Sequence, residues 1–89
     1  MGQRYRKQIQ PAPGPEKAFG DALREIRAER EVSQEQLAFD SGFDRTYISM
    51  VERGVRSPTI RSLVRLADVL KVRPSEIVIR MESLLKRSR

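Results

Sequence analysis

From Glu16 onward apolar residues recur three or four positions apart, the spacing of one face of an α-helix. Phe19, Leu23 and Ile26 set the first such face, and Ala18, Ala22 and Ala28 favour the same state. Acids lead the segment and Arg27 and Arg30 close it, as the helix dipole prefers, so a helix is predicted over about 16–31. Ser33-Gln34-Glu35-Gln36 reads as a capping box that opens a short helix, 34–41, with Leu37 and Ala38 inward and Gly42 as its stop. Asp44 is placed to cap a third helix, 45–53, whose inner side carries Ile48 and Val51 and which Gly54 ends. Thr59 caps a fourth, 60–71, with Leu63, Leu66, Ala67 and Leu70 at helical spacing. Pro74 suits the first residue of a fifth, 74–87, because its fixed φ is already helical and its missing N–H costs nothing there. That helix shows Ile77, Met81, Leu84 and Leu85. No alternating strand pattern competes, so the expectation is a compact all-α domain of five helices over residues 16–87.

Residues 1–15 have no apolar period and cluster Pro11, Pro13, Gly14 and Pro15. They are expected to form a disordered basic arm. Composition narrows the chemistry. The 89 residues contain no cysteine and no histidine, which excludes disulfides, a zinc finger and His-dependent nucleophilic catalysis. No metal, cofactor or enzymatic activity is expected. The longest aliphatic run, Ile77-Val78-Ile79, is three residues, against the ~20 needed to span a bilayer. The N-terminus lacks the apolar stretch of a secretory signal, and Arg6 stands where a myristoylation motif wants Ser or Thr. The expected location is cytoplasmic and nucleoid-associated.

Charge points to a partner. Lys and Arg total 18 against 12 Asp and Glu, a net +6. The surplus lies at the ends: Arg4, Arg6 and Lys7 in the arm, and Arg80, Lys86, Arg87 and Arg89 at the C-terminus. Between them, residues 16–44 hold four bases and eight acids, and residues 45–79 seven bases and three acids. A basic arm and a basic second half fit a polyanion.

Gln34 to Gly54 gives that charge a frame. Two helices of about eight residues meet across a turn at Gly42, and Ala38, four residues before it, is small enough to let them approach. With Ile48 and Val51 inward, the second helix turns Asp44, Arg45, Thr46, Ser49, Met50 and Arg53 outward. This is a helix-turn-helix pattern, whose second helix enters the DNA major groove by its N-terminal end. Arg45 is the candidate for two hydrogen bonds to guanine O6 and N7, and Thr46 for a base edge or thymine methyl. Ser49 is a further candidate base contact, and Met50 either meets a thymine methyl or fills a partly buried site. Arg53, Arg56 and Arg61 are candidates for backbone phosphate, which positions a protein without reading sequence. Tyr47 either places its hydroxyl on phosphate or sugar or packs sideways against helix two.

The chain resembles the Cro/λ-repressor-type helix-turn-helix domain, the XRE family. The residues that carry the likeness are Leu23-Arg24-Glu25-Ile26-Arg27, Ser33-Gln34-Glu35-Gln36-Leu37-Ala38, Gly42-Phe43, Tyr47-Ile48-Ser49, Val51-Glu52-Arg53-Gly54, Ser57-Pro58-Thr59 and Leu66-Ala67-Asp68-Val69-Leu70. They run in order and without gaps over about residues 17–79. The resemblance implies a λ-repressor-like five-helix fold, sequence-specific binding of double-stranded DNA, and a transcriptional regulator that acts as a dimer. It implies that Gln34 hydrogen-bonds a phosphate and braces the recognition helix. It also implies that Arg27 and Glu52 pair to tie helix one to the end of that helix. Many family members have Ser or Asp where Arg73 stands, so Pro74 is expected to start helix five alone.

Helix five runs beyond the usual domain end, and Ile77-Val78-Ile79 cannot all face one core. Val78, Met81, Leu84 and Leu85 are therefore expected to form a homodimer interface, leaving Arg80 and Lys86 in water, on a near-palindromic operator. With only 15 residues before the fold and few after it, no sensor or catalytic domain is expected. The alternative function is a protein-interaction module, antitoxin-like or coactivator-like, whose helix five binds another protein.

Overall fold

A computed structural model describes residues 14–88, and these form five α-helices: α1 Pro15–Glu29, α2 Gln34–Ser41, α3 Arg45–Glu52, α4 Ile60–Leu70 and α5 Pro74–Ser88. No strand occurs among the described residues. Helix α1 is the hub. It packs along α5 on one side and across α3 on another, while α2 bridges α3 and α4. Every helix contributes to one core. Leu23, Leu37, Ile48, Val51, Leu66, Leu70 and Ile77 are fully buried, each such side chain worth about 1.5–3 kcal/mol over an exposed one.

Two glycines set how closely the helices meet. Gly20 lies mid-helix in α1, where glycine normally weakens a helix. A Cβ there would sit 2.4 Å from the carbonyl oxygens of Val51 and Glu52, so its absence lets α1 touch the backbone at the end of α3. Gly42 has φ +79° and ends α2 in the left-handed conformation, which only glycine adopts without strain. Its N–H and that of Phe43 both reach the Ala38 carbonyl.

The helix ends depart from expectation in instructive ways. Helix α1 begins at Pro15, one residue inside the expected arm, because proline takes the first helical position. Residues 1–13 of that arm lie outside the described residues. Helix α1 ends at Glu29 rather than 31, since Glu31 turns to φ 57°. Lys71 does the same at φ 60° and ends α4 at Leu70, and Arg53 is the C-cap of α3 rather than its last residue.

The capping box at α2 is half formed. The Ser33 hydroxyl accepts from the Gln36 N–H at 3.0 Å, but the Gln36 amide runs forward to Asp40 at 2.9 Å instead of back to Ser33. Asp44 occupies the N-cap position of α3 without a side-chain cap bond. Pro74 does not start α5 alone: the Glu76 carboxylate accepts from the Arg73 N–H at 2.6 Å. Ala28 lies on the exposed side of α1.

Candidate nucleic-acid interface

Helix α3 stands out from the core at its N-terminal end and is anchored at its C-terminal end. Asp44, Arg45 and Thr46 are exposed, and Ser49 and Met50 are half-buried one turn on. Ile48 and Val51, fully buried, fix the rotation of the helix and so decide which residues face outward.

The anchor is a fork. Arg27 of α1 donates from Nε to one Glu52 oxygen at 2.7 Å and from its terminal nitrogen to the other at 2.9 Å. Its third nitrogen donates to the Val32 carbonyl at 3.0 Å. Glu52 is only 3% exposed and Arg27 15%, so this bidentate pair lies in a water-poor site where both partners need their bonds. Gln34 completes it. Its amide nitrogen donates to Glu52 at 2.9 Å, which turns its amide oxygen toward Arg45, whose guanidinium donates to it at 3.3 Å. One connected path therefore runs from the buried pair to the first residue of the exposed helix.

The structure thus places Gln34 between Glu52 and Arg45, with its amide bonded inside the protein. Tyr47 is half-buried. Its ring lies 4.8 Å from Phe43, centroid to centroid, and its hydroxyl donates to Ser62 at 3.1 Å. Ser62 is in turn held by Thr59, the cap of α4. The Arg56 guanidinium stacks over the Tyr47 ring at 5.4 Å. The turn that carries Arg56 is closed by the Met50 carbonyl, which accepts from the Val55 and Arg56 N–H groups. Arg53 is exposed at the C-cap of α3, and Arg61 is exposed in the first turn of α4. Arginines thus stand at the end of α3, in the following loop and at the start of the next helix.

Helix α5 is less free than its pattern suggested. Ile77 is fully buried, and Met81 and Leu84 pack partly on the domain's own core. Ile79, not Val78, is the strongly exposed member of its aliphatic run, at 60%. Leu85 is half-buried. Arg80 does not stand free in water: it donates to Glu25 at 3.0 Å and to Glu29 at 2.9 and 3.1 Å, tying α5 to α1. That bond and the nearby positive charge hold the Glu29 carboxyl below its ordinary range, and the two carboxylates push the Arg80 guanidinium up. Val78 and Met81 line an apolar groove of about 180 Å³ with Phe19, Pro58, Ile60 and Leu63.

Sequence reasoning missed Lys17 and Arg24. Both face a cleft between α1, the start of α2 and the end of α3, where Arg27, Gln34, Glu52, Arg53 and Val55 form the other walls. The signal available was their seven-residue spacing, two helical turns, with Asp21 on the same face between them. Among the described residues no helix is long and apolar enough to cross a membrane, and no cluster of acidic side chains is placed to hold a metal ion.

An anchored helix with an open, cationic N-terminal end, preceded by a short helix and a glycine turn, defines a helix-turn-helix DNA-binding domain. The helix-turn-helix family profile matches residues 23–77, and the chain belongs to the Cro/C1-type (XRE) helix-turn-helix family. It is 38% identical over 61 residues to the control protein C.BamHI of Bacillus amyloliquefaciens, covering 67% of this chain and 75% of that one. Among solved structures it is similar to the restriction-modification controller protein C.AhdI of Aeromonas hydrophila. That match has TM-score 0.67 and 44% identity, over 68% of this chain and 92% of the other. It is also similar to SinR, the master regulator for biofilm formation solved in complex with DNA. There the TM-score is 0.64 and the identity 28%, over 67% of this chain and 97% of that one. By its family the chain is a helix-turn-helix DNA-binding regulator.

Proposed function

We propose that this protein is a homodimeric regulator that reads a near-palindromic operator by inserting α3 into the major groove, in the manner of a restriction-modification controller. The observation that carries this reading is the path Arg27–Glu52–Gln34–Arg45, which fixes the angle of α3 from behind and holds its leading arginine in front. Arg45 takes a guanine edge, Thr46 and Ser49 read neighbouring positions, and Met50 borders them. Arg53, Arg56 and Arg61 hold the sugar-phosphate backbone, with Arg56 steadied by the Tyr47 ring. One exposed helix offers few base contacts, so selective binding needs two copies. The groove beside Ile60, itself 77% exposed, supports a twofold contact there with Val78 and Met81, flanked by Leu84 and Leu85. Recognition helices related by such an axis stand ~34 Å apart, one turn of DNA.

Selection from a random duplex library tests the reading. The expected product is a near-palindrome with half-site centres ~10 base pairs apart. Arg45→Ala is expected to lose about 1–3 kcal/mol of discrimination at one base pair of each half-site, while Arg56→Ala weakens all duplexes alike. Equal losses for both variants on operator and scrambled duplex would refute the assignment.

A further inference from the structure

The cleft between α1 and α3 carries cationic donors on α1 beyond the expected phosphate contacts. Gln34 spends its amide on Glu52 and Arg45, and Arg27 spends its guanidinium on Glu52 and Val32. Lys17, Arg24 and Arg53 line the same cleft and bond neither Glu52 nor Gln34. Arg53 is exposed. Lys17 and Arg24 are 40% and 57% exposed, and one carboxylate, Asp21, bonds both. The cleft holds about 660 Å³ and opens between the start of α2 and Val55 in the turn after α3. With Arg27 paired to Glu52, the cleft walls carry three further cations and no further carboxylate, and Asp21 beside them bonds two of the three.

We infer that this cleft seats a DNA backbone phosphate gripped by Lys17, Arg24 and Arg53, and that Asp21 occupies the two α1 cations in the free protein as an internal stand-in for that phosphate. The inference rests on the regulator reading above and extends its footprint onto α1. Three arguments converge. A phosphodiester accepts from several cationic donors at once and outcompetes one carboxylate for them. The cleft is bounded by the two segments, the α2 start and the α3–α4 turn, that the docked α3 brings nearest the backbone strands. The α1 wall cannot drift from α3, because Gly20 seats it against the Val51 and Glu52 carbonyls. Asp21 thereby sets the strength of backbone binding: the grip forms by exchanging partners, so weak polyanions are refused and duplex is accepted.

The experiment is a fluorescence-anisotropy titration of the full-length protein on selected and scrambled duplexes across a salt series. It uses wild type, Lys17→Gln with Arg24→Gln, Asp21→Asn and, as a reference, Arg45→Ala. The glutamines keep helix propensity and side-chain stems, and asparagine keeps an acceptor, so thermal melting by circular dichroism is expected to stay near wild type. The double variant is expected to weaken both duplexes alike and to flatten the slope of log K against log salt by roughly 0.9 per cleft engaged. Asp21→Asn is expected to tighten both duplexes roughly threefold to tenfold at low salt, since it removes one like charge from beside the phosphate. Neither is expected to change discrimination between the duplexes, which Arg45→Ala does. A folded double variant with wild-type affinity and slope overturns the inference, as does an Asp21→Asn protein that binds no tighter. Wild type that binds neither duplex overturns the regulator reading instead, which is a distinguishable result.

Discussion

Helix α1 is held to its neighbours by two guanidinium–carboxylate pairs, and they behave as opposites. Toward α3, Arg27 and Glu52 meet in a site where the carboxylate is 3% exposed and accepts from Arg27 on both oxygens and from Gln34. Toward α5, Arg80 meets Glu25 and Glu29, which are 46% and 57% exposed. The atoms and distances are alike, but the surroundings decide the consequence. In water an ion pair trades one good environment for another, and its net worth is about 0–1 kcal/mol. In the interior neither partner has water to fall back on. The pair then contributes little over an apolar substitute, yet losing one half is severe. The first pair therefore specifies an angle, and the second trims the seating of a helix already held by Ile77.

Removing one half of the buried pair tests that contrast most strongly. Glu52→Ala leaves a buried guanidinium and the Gln34 amide without an acceptor, and a loss of about 3–5 kcal/mol is expected. For a domain with about 5–15 kcal/mol in total, that takes it close to unfolding. Arg80→Ala is expected to cost less than about 1 kcal/mol. Urea denaturation of the two variants measures both, and comparable losses would abolish the distinction. Replacing the whole pair, Arg27→Met with Glu52→Leu, sharpens it: stability is expected to return to within about 2 kcal/mol of wild type, while operator binding does not return. Gln34 then has no carboxylate to orient it toward Arg45. Recovery of both properties together would show that the pair acts through stability alone.

The next effect in size comes from the seat beneath that pair. Gly20→Ala places a methyl group 2.4 Å from two backbone carbonyl oxygens of α3. No side chain can swing aside there, so α1 and α3 must separate. Overpacking of this kind costs about 1–3 kcal/mol, although alanine favours the helix itself by about 1 kcal/mol. A net loss by urea denaturation, with weakened operator binding, is the expected result. A stabilised variant would mean that the two helices do not approach as closely as Gly20 allows.

How much of this was legible in the sequence follows from what each feature depends on. The five helices were legible because apolar spacing and burial have the same cause: Ile48 and Val51 are inward for the reason they are aliphatic. The stops at Gly42 and Gly54 were legible because glycine marks a positive φ, here +79° and +80°. The stops at Glu31 and Lys71 were hidden, since nothing in an acidic or basic residue announces a left-handed turn. Glu76 bonding the Arg73 N–H is readable from their three-residue spacing, which lets a carboxylate in the first turn reach back to the residue before Pro74. The outward residues of α3 followed from its inward ones. The cleft did not: Lys17 and Arg24 read as an ordinary solvated helix face until α1 is laid against the end of α3. The strip on α5 is legible only in part, for a related reason. Periodicity shows that Met81 and Leu84 share a face, but not that the domain's own core already covers part of it.

The smallest predicted effect separates the two pairs by titration and by salt. Arg80, by its hydrogen bond first and its charge second, lowers the Glu29 carboxyl in the folded protein. A carboxyl lowered on folding binds its proton less readily in the native state than in the unfolded one. Its stabilisation is therefore complete above the unfolded carboxylate range, and it is lost as pH falls through the folded value. Glu29→Gln removes the titrating group. The stability gap between wild type and Glu29→Gln is thus expected to be small and constant above about pH 5, to narrow through the acidic range below that, and to vanish in stronger acid. Because the pair is open to solvent, the same gap is expected to shrink at neutral pH in 1 M salt, where charges are screened beyond about 3 Å. The gap between wild type and Glu52→Ala, measured in the same salt, is expected to stay nearly unchanged, since a carboxylate only 3% exposed is screened much less. Urea midpoints for the three proteins across pH and salt decide it. A Glu29 gap that ignores both variables would mean the exposed fork is as much a structural fixture as the buried one.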